Sequence, residues 1–190
     1  KIIDFSTEAP HAAGSPVQKI AYALMAVGLG WLLLGHAIGD VRADDRHVAL
    51  AKIDGVIDPI SARYLTRAVV TATSDEAVLL VLVLDTPGGL LDSMREMVSA
   101  IFSAEIPVAV YVSPPGAQAA SAGTFVAAAA NFAAMAPATN IGAASPVGSG
   151  GEDLPETLGR KVSEDTQAFI RSIAERRGRN AEVLAGTVAD

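Results

Sequence analysis

Hydrophobic and polar positions divide the chain into three regimes. Residues 1–16 are mostly polar, contain Pro10 and Pro16, and predict a disordered lead. Residues 20–38, IAYALMAVGLGWLLLGHAI, carry no formal charge; Lys19 precedes them, and Asp40 and Arg42 come after. Nineteen apolar residues are just enough to span a bilayer. The same run matches the apolar part of a secretory signal, with Val41 and Ala43 as the small residues needed for cleavage after Ala43. Residues 17–43 are therefore read as a signal peptide or membrane anchor, with a buried core helix as the remaining alternative. Either of the first two readings places the rest of the chain outside the cytoplasm.

From His47 onward, strand and helix periods alternate. HVALAKI (47–53) predicts a strand, and Asp58-Pro59 caps a helix whose apolar positions are Ile60, Tyr64, Leu65 and Ala68. AVLLVLVL (77–84) is a continuous apolar run, as in a strand covered on both faces. After the turn Asp85-Thr86-Pro87-Gly88-Gly89, a helix runs through Leu90, Leu91, Met94, Met97, Val98 and Ile101. PVAVYV (107–112) is a third strand, Pro114-Pro115-Gly116 a break, and an Ala-rich segment begins at Ala117. Phe132–Ala136 is a short fourth strand. Beyond the flexible Gly148–Gly151 stretch, an amphipathic helix over 155–177 presents Leu158, Val162, Phe169, Ile170 and Ile173, and Asn180 caps a last short helix. This alternation with short connections implies βαβ units and a parallel sheet. Residues 44–190 are read as one domain; the start at Lys1 rather than Met and the stop at Asp190 just after a helix suggest a piece of a longer protein, with the domain expected to be incomplete at its C-terminal end.

Composition narrows the chemistry. The chain has 190 residues and a net charge of −7, which argues against a general nucleic-acid binder with its basic stripe. It contains no cysteine and only three histidines, His11, His36 and His47. That excludes disulfides and a Cys nucleophile, and speaks against a His-rich metal site. No metal or cofactor is expected. Aromatic residues make up 5% of the chain, so its core must pack small side chains with backbones close together.

Three places can carry chemistry. The adjacent glycines of DTPGG let the backbone approach a ligand, and their N–H groups can meet an anion where a helix begins; the plain alternative is a strand-to-helix turn. Ser121 is an isolated hydroxyl in an Ala-rich run, on the first turn of a helix after a strand. That is a favourable place for a nucleophile, and equally a place for a helix cap. The surroundings are not a Gly-x-Ser-x-Gly elbow. A serine needs a base. His47 lies at the start of the first strand, the wrong end of the sheet. Of the two lysines after residue 43, Lys52 falls in a strand, whereas Lys161 lies beside the Leu158 and Val162 stripe. Burial there would disfavour its charged form and free the amine to act as base; a lysine snorkelling from the helix edge is the alternative.

Taken in order, IDGVIDP (53–59), LDTPGGL (84–90), PPGAQAASAGT (114–124), APATNIGAASPV (136–147) and KVSEDTQAFIRSIAERRGRN (161–180) resemble the membrane-bound serine proteases of the ClpP class. These are also called nodulation-efficiency-D or stomatin-operon-partner proteins. The resemblance spans roughly 47–188. It implies a ClpP/crotonase-like α/β fold and a catalytic Ser121–Lys161 pair in place of ClpP's Ser-His-Asp triad. It also implies an oxyanion hole from Gly88, Gly89 and Ala122. The implied substrate is an apolar peptide or protein segment, notably of a stomatin-like membrane protein, and the implied state is a membrane-associated homo-oligomer. Two other readings use the same fold: a non-catalytic scaffold for a stomatin-like partner, and an acyl-CoA hydratase or isomerase. The second is disfavoured because 113–147 holds no Asp or Glu to act as acid or base.

Overall fold

A computed structural model describes residues 46–148, 152 and 154–188. The lead and the signal or anchor segment lie outside the described residues. Among the described residues, no helix is long and apolar enough to cross a membrane.

The main sheet consists of β1 (Val48–Asp54), β2 (Leu79–Asp85), β3 (Val108–Val112) and β5 (Phe132–Met135), all parallel and in the order β1-β2-β3-β5. The crossovers between the first three strands are α1 (Pro59–Ser74) and α2 (Leu91–Ser103); a further helix, α3 (Ala122–Ala129), lies between β3 and β5. Strands added always in one direction by right-handed crossovers place their helices on one face. The burial of β2 agrees. Leu80, Leu82 and Leu84 are buried, while Leu79, Val81 and Val83 on the opposite face are only half-buried. The apolar run of β2 is thus covered fully on one face, not on both as expected.

α1 begins at a capping box. The Asp58 carboxylate accepts from the N–H groups of Ile60 (2.9 Å) and Ser61 (2.8 Å), and the Ser61 hydroxyl accepts from the Asp58 N–H (2.9 Å). These contacts, the Ser61 N–H foremost, hold the Asp58 carboxyl below its ordinary pKa. The buried stripe of α1 is Ala62, Leu65, Val69 and Ala72, and the expected Ile60 and Tyr64 are exposed. Small alanines let the helix lie close to the sheet, so alanine wins the inward positions over larger side chains.

Two short strands have no counterpart in the sequence pattern. β4 (Gln118–Ala120) and β6 (Asn140–Gly142) pair in parallel as a second sheet. The chain leaving β2 joins them: Thr86 N–H donates to the Gln118 carbonyl (2.7 Å), and Ala120 N–H to the Thr86 carbonyl (3.1 Å). The long helix α4 (Glu156–Arg176) and the short α5 (Ala181–Gly186), capped by Asn180 as expected, close the body.

Candidate active site

The glycine turn, Ser121 and β6 meet where β2 ends. His47 sits at the opposite end of the strands, just before β1, as its sequence position predicts.

Ser121 is the N-cap of α3, with φ 51° and ψ −119°. A non-glycine residue there is strained by about 1–3 kcal/mol, and such strain persists only where surrounding structure enforces it. Here the enforcement is explicit. Ser121 N–H donates to the Gly142 carbonyl (2.8 Å), and the Ser121 carbonyl accepts from the Thr124 N–H (2.9 Å). The fully buried Thr124 hydroxyl accepts from Gly142 N–H (3.1 Å) and donates to the Ala119 carbonyl (3.0 Å). β4, β6 and α3 are thereby bolted together around one serine. The sequence suggests an ordinary first-turn position; the backbone instead makes a sharp strand-to-helix corner without the Gly-x-Ser-x-Gly pattern.

Gly88 and Gly89 are required by contact. A Cβ on Gly88 would stand 2.6 Å from the Ser121 Cβ, and one on Gly89 would run into the Ile57 carbonyl. The turn is held by Ile57, whose N–H donates to the Gly88 carbonyl (2.8 Å) and whose carbonyl accepts from Leu90 N–H (2.9 Å). The three expected oxyanion donors are not equivalent. Gly88 N–H is already engaged with the Thr86 hydroxyl at 3.1 Å. The N–H groups of Gly89 and Ala122 have no acceptor among the described residues. They flank the Ser121 cavity as two unspent donors, Ala122 at the first helical position of α3.

That cavity has a volume of about 550 Å³. Ser121, Gly89 and Ala122 line it together with Leu90, Leu91, Met94, Phe125, Val147, Leu154 and Val162. Leu90 and Leu91, expected in the core of α2, instead wall the cavity and are 53% and 38% exposed. The polar groups on this wall besides Ser121 are Ser145 and Thr166. Among the described residues, no three His, Cys, Asp or Glu side chains cluster to hold a metal ion.

Lys161 does not meet its expected environment. Val162 and Thr166 of α4 line the cavity, but Lys161, one residue before Val162, is exposed and is not part of the wall. Leu158, expected to help bury it, is itself 49% exposed. Residue 161 lies about 100° around the helix from residue 162, enough to turn it away from the cavity wall.

Residues with no obvious chemistry in the sequence prove to hold the site. α3 is buried throughout and carries no side chain able to satisfy its last carbonyls. Arg177 Nε donates to the Ala129 carbonyl (2.6 Å), and Arg179 donates to those of Ala128 (3.0 Å) and Ala130 (2.9 Å). Burial pulls both guanidinium groups below the usual arginine range. Two arginines far along the chain from Ser121 thus cap the helix that Ser121 starts. Their periodicity gives no sign of this; only the pairing of a cation-rich RRGR segment with a charge-free buried helix hints at it.

The profile of the NfeD1b N-terminal domain matches residues 47–190. The membrane-bound protease PH1510 of Pyrococcus horikoshii is 40% identical over 142 residues, covering 72% of this chain and 31% of that protein. The membrane protein NfeD1b of Bacillus subtilis is 32% identical over 108 residues, covering 57% and 24%. The chain therefore spans less than a third of the length of either relative. Among solved structures, a serine-to-alanine variant of the membrane-bound stomatin-specific protease 1510-N superposes with a TM-score of 0.69 at 36% identity, covering 75% of this chain and 70% of that one. A lysine-to-alanine variant of the same protease, in complex with a substrate peptide, gives 0.70 at 36%, covering 75% and 66%. ClpP1 of Listeria monocytogenes, 18% identical, shares the fold with a TM-score of 0.58, covering 74% and 79%.

Proposed function

Since the chain belongs to the NfeD1b N-terminal-domain family and shares its α/β fold with 1510-N and ClpP1, we propose that it is a serine endopeptidase acting through Ser121 and Lys161. The observation that carries this reading is the strained Ser121 corner with the unspent Gly89 and Ala122 donors beside it, opening on an apolar cavity. Lys161 takes the Ser121 hydroxyl proton as Oγ bonds to the scissile carbonyl carbon. The carbonyl oxygen becomes an oxyanion held by the Gly89 and Ala122 N–H groups. The C–N bond then breaks as the Lys161 ammonium returns the proton to the leaving amine, leaving an acyl-Ser121 ester. Water attacks the ester with Lys161 again as base, and Ser121 is regenerated.

The relatives support both residues. The serine and lysine replaced in the 1510-N variants lie forty-one positions apart, and Ser121 and Lys161 lie forty apart. Lys161 is exposed in the single chain, one residue along α4 from the cavity-lining Val162. The leucine, valine and phenylalanine wall selects apolar segments. The relative's stomatin specificity makes a stomatin-like membrane protein the proposed substrate. In this reading residues 17–43 are a signal peptide or a membrane anchor, with the protease body outside the cytoplasm and assembled as a homo-oligomer.

The test is hydrolysis of an apolar peptide taken from a stomatin-like C-terminal region. Wild type is expected to cleave it and Ser121→Ala to leave it intact. Equal cleavage by both proteins would transfer the nucleophile to Ser145 or Ser113 or remove the serine mechanism altogether. Binding without cleavage by either would favour the scaffold reading.

A further inference from the structure

The three helices bearing parts of the Ser121 site meet in one stack. The Arg95 guanidinium of α2 lies 4.2 Å from the ring centre of Phe169 on α4. Phe169 in turn stacks on Phe125 of α3, centroids 6.1 Å apart at 16°. Phe125 lines the Ser121 cavity. Arg95 also pairs with Asp165 of α4 at 2.6 Å.

Asp165 is four residues beyond Lys161, so the two are neighbours on the surface of α4. An unoccupied Asp165 carboxylate would attract the Lys161 ammonium and oppose the loss of its proton. Other carboxylates near this face are differently placed. On α4, Glu164 pairs with Arg160 at 3.0 Å; on α5, Glu182 pairs with Arg171 at 3.2 Å. α3 carries no charged side chain. On α2, Asp92 and Glu96 flank Arg95 and are exposed, and Glu152 in the loop before α4 has interactions of its own. Asp165 is the carboxylate one turn from Lys161 whose cation partner comes from another helix.

We propose that Arg95 is a positioning residue for the Ser121–Lys161 reaction: it draws Asp165 away from Lys161 and pins α4 over the cavity. This inference rests on the Ser–Lys reading. Both members of the pair are substantially exposed, so the electrostatic effect is modest.

The experiment is a pH–rate profile on the full chain, read both by hydrolysis of an apolar peptide and by fluorophosphonate labelling of Ser121. Arg95→Met keeps an unbranched apolar chain over Phe169. It is expected to move the rising limb about half a unit to higher pH, roughly threefold in rate at neutral pH, with the shift vanishing in about 1 M salt. Adding Asp165→Asn should restore the wild-type limb. Arg95→Lys, which still reaches for Asp165, should keep the limb in place and covers the case in which Arg95→Met misfolds. An equal loss at every pH with an unmoved limb would overturn the proposal, as would a shift that Asp165→Asn fails to reverse. Lys161→Gln, run in parallel, separates the two ideas. If it stays active, the Ser–Lys reading falls and takes this proposal with it. If it is inactive while the Arg95→Met limb has not moved, only the role of Arg95 falls.

Discussion

Gly88 lies directly against Ser121: a Cβ on the glycine would stand 2.6 Å from the Ser121 Cβ and 3.1 Å from its Oγ. The turn after β2 and the corner that opens α3 are thus in contact through two residues thirty-three positions apart. Gly88→Ala must push Ser121 aside or distort the turn, at a φ of 119° that alanine rarely adopts. We expect a loss of about 2–4 kcal/mol in stability and at least a hundredfold loss of peptidase activity, measured by denaturant unfolding and peptide hydrolysis. A fully active, fully stable Gly88→Ala protein would mean that the turn does not abut the nucleophile.

Strain at Ser121 gives an opposite pair of effects from one substitution. Ser121→Gly removes the hydroxyl and relaxes the positive φ. It should raise stability by about 1 kcal/mol while abolishing hydrolysis. Ser121→Ala should abolish hydrolysis without that gain. Thermal unfolding of the two variants side by side checks the difference.

The arginine cap of α3 predicts instability at a distance. Arg179→Met leaves the Ala128 and Ala130 carbonyls without their donors in a buried setting. We expect a cost of about 1.5–3 kcal/mol by denaturant unfolding, and slower acylation of Ser121. Arg179→Lys should recover part of the stability, because it keeps the charge but cannot reach two carbonyls as a fork.

The Asp58 cap predicts an acid limb in stability. Its carboxyl pKa is lowered in the folded state, chiefly by the Ser61 N–H. The stabilisation is therefore fully present above the unfolded value near 3.9 and is lost as pH falls through the lowered folded value. Asp58→Asn should flatten the Tm-against-pH curve between about pH 5 and pH 2 and leave the curve at neutral pH nearly unchanged, since asparagine also caps.

The larger elements are legible in the sequence because burial follows period. The β2 run, the Met94, Met97, Val98 and Ile101 stripe, and Ile170 with Ile173 stand where their spacing places them. Side-chain size misleads elsewhere. Ile60, Tyr64 and Leu158 are large and exposed, whereas Ala62 and Ala72 are small and buried. The short strands β4 and β6 are illegible because three residues carry no period, and their pairing is fixed by Thr86 and Thr124 from elsewhere in the chain. Leu90 and Leu91 read as apolar positions of a helix but wall the cavity, since an apolar cavity wall and an apolar core look alike in sequence. The serine and both glycines are recognisable as types. That Gly88 spends its N–H on Thr86 while Gly89 and Ala122 do not depends on backbone direction, which no residue pattern encodes.

Fluorophosphonate labelling followed by peptide mapping tests the Ser121–Lys161 assignment most directly. The full chain is labelled across pH, and the modified residue and its rate are read by mass spectrometry. The assignment predicts a single adduct on Ser121 in the wild type, with a rate that climbs with pH as Lys161 gives up its proton. It predicts no adduct in Ser121→Ala, and a rate lowered at least a hundredfold in Lys161→Arg, whose guanidinium cannot serve as base at working pH. An undiminished rate of Ser121 labelling in Lys161→Arg, or peptide cleavage by a wild type that takes no label on Ser121, would contradict it.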